Sequence, residues 1–218
     1  MHRGGIARRP IKARNTRWAS LVASWLERLG VRPNTISVTS VFFAGAAGLC
    51  LVLTDGVASG VRGLLFLMSG VLIQMRLLCN LFDGMVAVEG GHKTKSGEIY
   101  NELPDRLADV FILVGAGYAW MRVGWGPLLG WLCAVLALLT AYVRALGAAA
   151  GASQQFCGPM AKQQRMALMT FACIVSAFLS WSNLHWPLIA ATLTLIGAGT
   201  AITVVRRLLR IVRELEQK

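Results

Sequence analysis

Six of the chain's ten acidic residues, Asp83, Glu89, Glu98, Glu102, Asp105 and Asp109, fall within 27 consecutive positions. Hard oxygen donors at that density suit a divalent cation such as Mg²⁺ or Mn²⁺ better than zinc. A carboxylate among them can also accept a proton from a hydroxyl. Their spacing defines two faces. Asn80, Asp83 and Ala87 stand at i, i+3 and i+7, and Asn101, Asp105 and Asp109 at i, i+4 and i+8, so each set shares one side of a helix. Two antiparallel helices joined by a short loop can turn those sides toward each other. Two other readings stay open. The acids could pair with Arg76, Arg106 or Arg144 to hold helices together, or they could line an ion pathway.

The elements that must position these groups are membrane spans. The 218 residues are 56% apolar and only 15% charged, with a mean hydropathy of +0.58. Long apolar runs predict an all-α, polytopic protein of about six transmembrane helices, at 36–54, 64–88, 107–121, 128–150, 166–181 and 186–205, since roughly 20 helical residues cross a bilayer. The third begins earlier, near Glu98, which makes its first half polar. An aspartate at a span centre costs about 2.5–3.5 kcal/mol, so several together must face a wet, cation-holding cavity. If the loop lies at 89–96, Asp83 is about 9 Å in, Asp105 about 12 Å and Asp109 about 18 Å, at ~1.5 Å per residue. The first two reach headgroup level, where the polar end of a lipid would react.

Before the first span, Trp18, Leu21, Val22, Trp25, Leu26 and Leu29 fall on one helical face, and Arg17, Ser20, Ser24 and Arg28 on the other. That pattern predicts an amphipathic helix in the membrane interface, ended by Gly30 and followed by a turn at Pro33, Asn34 and Thr35. The chain thus divides into a basic arm and interfacial helix (1–34), a six-helix membrane domain (35–206) and a basic tail (207–218). Seventeen of the 22 lysines and arginines fall on one side of these spans, in the arm, at Lys93, Lys95, Lys162 and Arg165, and in the tail. Only Arg62 and Arg122 fall on the other. Both termini are therefore expected in the cytoplasm. The net charge of +12 borders spans, so anionic lipid, not nucleic acid, is the expected partner. No disulfide is expected among Cys50, Cys79, Cys133, Cys157 and Cys173, and the first 35 residues lack the apolar core of a cleavable signal peptide.

Asn80, Asp83, Gly84, Ala87 and Val88, then eight residues, then Gly97, Asn101 and Asp105, resemble the signature of the CDP-alcohol phosphotransferases. It reads D-x-x-D-G-x-x-A-R, eight or nine residues, G-x-x-x-D-x-x-x-D. The segment Arg32-Pro33-Asn34-Thr35-Ile36-Ser37 is similar to the family's opening of its first span, and Tyr142-Val143-Arg144-Ala145 to a segment of its fourth. The resemblance implies transfer of a substituted phosphate, such as phosphatidyl, from a CDP-linked lipid donor such as CDP-diacylglycerol to the hydroxyl of a polar alcohol, releasing CMP. It implies one or two Mg²⁺ or Mn²⁺ ions held by Asn80, Asp83, Asn101 and Asp105, with Asp105 or Asp109 as general base. Gly84, Ala87 and Gly97 would let the nucleotide approach the helices. Glu102, Arg144, Lys162 and Arg165 would bind substrate. A homodimer in a bacterial inner membrane is also implied. The chain departs from the signature at Asn80, Asn101 and Val88 and adds Asp109, which marks a variant subgroup. The rival reading is a non-catalytic relative that binds CDP-lipid or metal in a regulatory or scaffold role.

Overall fold

A computed structural model describes residues 16–89, 97–121 and 124–217, with no strand among them. Seven α-helices follow in order: α1 (Arg17–Arg28), α2 (Pro33–Val52), α3 (Ser59–Glu89), α4 (Gly97–Tyr118), α5 (Gly126–Ala149), α6 (Lys162–Phe178) and α7 (His185–Glu216). The arm at 1–15 and the positions Lys93, Lys95 and Arg122 lie outside the described residues. Five segments are long and apolar enough to cross a membrane: α2, Ser59–Ala87 of α3, α5, Lys162–Trp181 and α7. The sixth long helix, α4, has 22 residues, about 33 Å at ~1.5 Å per residue. Glu98, Glu102, Asp105, Arg106 and Asp109 make its first half too polar for the same description. The chain is an all-helical polytopic membrane protein.

The six long helices close into a ring in the order α2, α4, α5, α7, α6, α3 and back to α2. Although consecutive in the chain, α3 and α4 are not ring neighbours. Helix α2 packs extensively against both, and they meet more sparingly across the interior. Small residues set this closeness. A Cβ on Gly115 of α4 would stand 2.5 Å from the Gly48 carbonyl oxygen of α2. One on Gly117 would stand 2.6 Å from the Gly126 carbonyl oxygen of α5. Such contacts let helix backbones approach without a side chain between them. Phe42, Leu64, Leu128, Phe171 and Leu195 are exposed, while Ser69, Arg76, Arg165, Ser176 and Thr200 are buried. Polar inside and apolar outside is the pattern an apolar solvent imposes.

At α1 the structure divides the predicted apolar face. Ala19 and Ala23 are fully buried, and Val22 and Leu26 pack with them on Leu81, Phe82, Met85 and Val86 near the end of α3. Trp18, Leu21, Trp25 and Leu29 stay exposed as a second stripe. Gly30 adopts φ 70°, and the Val31 N–H reaches back to the Leu26 carbonyl at 3.1 Å, a left-handed helix cap that glycine makes easily. The tail continues the last span as one helix, with Arg206, Arg210 and Arg213 exposed. Arg207 instead turns inward and donates to the carbonyls of Thr140 at 2.7 Å and Cys157 at 3.0 Å. All five cysteines are free.

Candidate active site

The ring's two ends differ. One gathers α1, the C-terminus of α3 and the N-termini of α4 and α6. At the other, Arg62 donates to the carbonyls of Thr54 (3.2 Å), Val57 (2.8 Å) and Ser180 (3.3 Å), tying turns together. The acidic residues belong to the first end and point inward.

Asp83 of α3 is 4% exposed. Its Oδ2 accepts the Ser37 hydroxyl of α2 at 2.6 Å. Its Oδ1 is buried with no hydrogen-bond partner among the described residues. One turn earlier, Asn80 donates its Nδ2 to Asp105 Oδ1 of α4 at 2.9 Å. The Lys162 ammonium, at the start of α6, donates to Asn80 Oδ1 at 2.5 Å and also to Asp105 Oδ2. Three helices thus converge on Asp105.

Asp109 lies one turn deeper and is engaged at both oxygens. Arg76 of α3 donates to Oδ1 at 3.0 Å, and Arg165 of α6 to Oδ2 at 2.7 Å. All three side chains are at most 1% exposed. Arg76 also donates to the Asp105 backbone carbonyl at 3.2 Å and stands 3.4 Å from Asp105 Oδ1. Arg165 further donates to the Met160 carbonyl at 3.1 Å. Nearer the rim, Glu102 takes Arg106 at 3.0 Å and Arg144 at 2.6 Å, and the Arg144 guanidinium lies 5.3 Å from the Phe156 ring centroid.

The helix-pairing alternative thus describes Glu102 and Asp109 and, through Arg76 and Lys162, also Asp105, whereas Asp83 has no cationic partner at hydrogen-bonding distance among the described residues. Gly84 and Ala87 lie half-buried on α3, and Gly97 opens α4. The side chains of Val88, Glu89, Glu98 and Asn101 lie outside the described residues. No three His, Cys, Asp or Glu side chains among the described residues gather closely enough to form a metal site by themselves. An ion at Asp83 would therefore draw on amide oxygens. Ser37 received no role from the sequence, although a hydroxyl one turn into an apolar span is a signal that it serves a polar partner. The value of Arg76 was also hidden, since helical spacing does not show which acid an arginine meets across a ring.

No family model matches the chain. It is 26% identical over 171 residues to inner membrane protein YnbA of Escherichia coli, covering 74% of this chain and 78% of that protein. It is 25% identical over 191 residues to phosphatidylinositol phosphate synthase of Mycobacteroides abscessus, covering 86% and 80%. The fold is similar to that of Mycobacterium tuberculosis phosphatidylinositol phosphate synthase solved with CDP-DAG bound, with a TM-score of 0.74 at 20% identity, covering 90% of this chain and 94% of that one. The same enzyme with manganese and citrate gives a TM-score of 0.71 at 18% identity, covering 88% of each chain. The homology to a phosphatidylinositol phosphate synthase supports the resemblance to the CDP-alcohol phosphotransferases carried by the signature spacing at Asn80–Asp105.

Proposed function

We propose that the chain transfers a phosphatidyl group from CDP-diacylglycerol to the hydroxyl of a polar alcohol and releases CMP. The observation that carries this reading is the pair of carboxylates at one end of the ring. Asp105 is oriented at both oxygens by Asn80 and Lys162, and Asp83 presents a buried oxygen without a partner. The acceptor oxygen attacks the lipid-side phosphorus of the donor, the bond from that phosphorus to the CMP oxygen breaks, and the hydroxyl proton passes to a carboxylate.

Asp105 is the better base. It stands one turn nearer the polar end, whereas Asp109 is closed in between two buried arginines. Asp109 and Arg165 serve to hold α4 against α6. Lys162 remains at the polar end to meet phosphate. Glu102 fixes Arg144 at the rim, where the guanidinium can meet a substrate phosphate.

The residues suit a hard divalent ion, because an unpartnered buried carboxylate oxygen is a group that such an ion satisfies. Asp83, with the amide oxygens of Asn80 and Asn101 and with Asp105, would hold Mg²⁺ or Mn²⁺. Bound there, the ion would neutralise charge developing on the pyrophosphate oxygens. The Asn80 and Asn101 departures define a variant set of ligands. A homodimer in a bacterial inner membrane, with both termini cytoplasmic and anionic lipid along the exposed arginines of α7, completes the reading.

The test is CMP release by purified protein given CDP-diacylglycerol, Mg²⁺ or Mn²⁺ and a pool of polar alcohols. Release that stops in chelator and returns with metal is expected. Its absence with every alcohol would favour a non-catalytic lipid-binding role.

A further inference from the structure

Lys162 occupies an unusual place for a lysine. It is the first residue of α6, its side chain is 18% exposed, and its ammonium bridges the Asn80 amide oxygen and Asp105 Oδ2. The segment that presents it is tied down. The Met160 N–H donates to Thr203 Oγ1 at 3.0 Å, Arg165 donates to the Met160 carbonyl, and Arg207 donates to the Cys157 carbonyl. The lysine is held there by an ordered backbone.

Asn80 is matched to that lysine. Its oxygen accepts from the ammonium while its nitrogen donates to Asp105 Oδ1. An aspartate, the residue the signature carries at this place, could accept from Lys162 but could not donate to Asp105. It would set two carboxylates against each other about 3 Å apart, an arrangement that calls for a shared cation of higher charge. The departure at Asn80 and the bridging ammonium are therefore complementary. One fewer carboxylate is needed because one cation is already built into the chain. Asp83 differs. Its free Oδ1 has no lysine or arginine at hydrogen-bonding distance among the described residues.

We infer that Lys162 is a fixed cation standing in for a second divalent ion, so that this site takes one metal ion, at Asp83, and one ammonium, between Asn80 and Asp105. The inference rests on the phosphotransferase reading above. In that reaction the ammonium would contribute positive charge to the donor's phosphate oxygens, as a point charge with three donors.

The experiment counts Mn²⁺ on the purified protein in detergent, with CDP present. Loss of the free-ion electron paramagnetic resonance signal measures stoichiometry, and the low-temperature spectrum reports whether bound ions are spin-coupled. The wild type is expected to bind one uncoupled Mn²⁺ per chain, and Lys162→Arg likewise. Asn80→Asp combined with Lys162→Ala is expected to bind two, with a coupled spectrum. Two ions on the wild type, or none, would overturn the inference, as would a monodisperse double variant that still binds one. If the double variant does not fold, the wild-type count decides alone. CMP release from CDP-diacylglycerol in the same samples separates the two levels. Two ions with CMP release defeats only the inference, and one ion without release under any alcohol defeats only the phosphotransferase reading.

Discussion

Ser37 donates its hydroxyl to Asp83 over 2.6 Å, a short bond that fixes which carboxylate oxygen is left over. Removing it would free the carboxylate to rotate and would leave both oxygens unpartnered. Residues that orient a metal ligand typically cost about 10–100-fold in metal affinity when lost. Ser37→Ala is therefore expected to raise the Mn²⁺ concentration for half-maximal CMP release by about tenfold or more, with little change in the rate at saturating metal. An unchanged metal requirement would detach Ser37 from the site. The two candidate bases are separable in the same way. Asp105→Asn should lower kcat by about 10²–10⁴-fold while the protein stays folded. Asp109→Asn removes the charge that balances two buried arginines, and breaking such a set costs about 3–5 kcal/mol. Its first effect should be a lower melting temperature in detergent. A stable Asp109→Asn protein with abolished turnover would reverse the assignment. That Asp105 and Asp109 share a face was legible from spacing, because i and i+4 put them on one side of a helix. Which of the two aspartates is more closely held between arginines was not legible. That depends on Arg76 and Arg165, which are 33 and 56 residues away from Asp109 in sequence and meet it only when the ring closes.

The six long helices could be read from hydropathy, including the polar anomaly of α4, because lipid allows few other ways to satisfy a backbone. Their neighbours could not. A short loop between α3 and α4 favours a packed hairpin, but the glycines at 48, 115, 117 and 126 draw α4 against α2 and α5 instead. That choice leaves the polar faces of α3 and α4 looking across an interior that α6 can also enter with Lys162. At Gly115 a Cβ would meet backbone at 2.5 Å and not the end of a movable side chain. Gly115→Val should lower stability by about 1–3 kcal/mol and also depress CMP release, since displacing α4 moves Asp105 away from Asn80. Gly45 has nothing within 4 Å of a Cβ, so Gly45→Ala serves as the control and should leave both properties unchanged. Equal behaviour of the two variants in thermal melts would remove α2–α4 closeness as the feature that positions the site. The amphipathic helix α1 teaches a related point. Hydrophobic spacing located it, but two alanines, which spacing arguments weight little, join Val22 and Leu26 in the face that docks on α3, while Trp18, Leu21, Trp25 and Leu29 stay exposed.

At the scale of the whole molecule, charge and chemistry fall at the same end. The polar network opens where α1, the end of α3 and the starts of α4 and α6 meet, and the exposed Arg206, Arg210 and Arg213 of α7 emerge at that end. The opposite end carries Arg62, whose side chain is bound to backbone carbonyls, and aromatic side chains such as Trp125 and Trp181 that stand exposed. Membrane insertion keeps lysine- and arginine-rich ends in the cytoplasm, so the asymmetry predicts that the site end faces the cytoplasm. Exposed positions allow a direct check in a background with all five cysteines replaced. Asn183, between α6 and α7, represents the Arg62 end. Gln163 and Gln217 represent the site end. Asn183→Cys should react with a membrane-impermeant maleimide in cells whose outer barrier has been opened but whose inner membrane is intact. Gln163→Cys and Gln217→Cys should react only after that membrane is permeabilised. The expected pattern puts Asp83 and Asp105 at the cytoplasmic face. Labelling of Gln163→Cys from outside would invert the ring and overturn that orientation of the site.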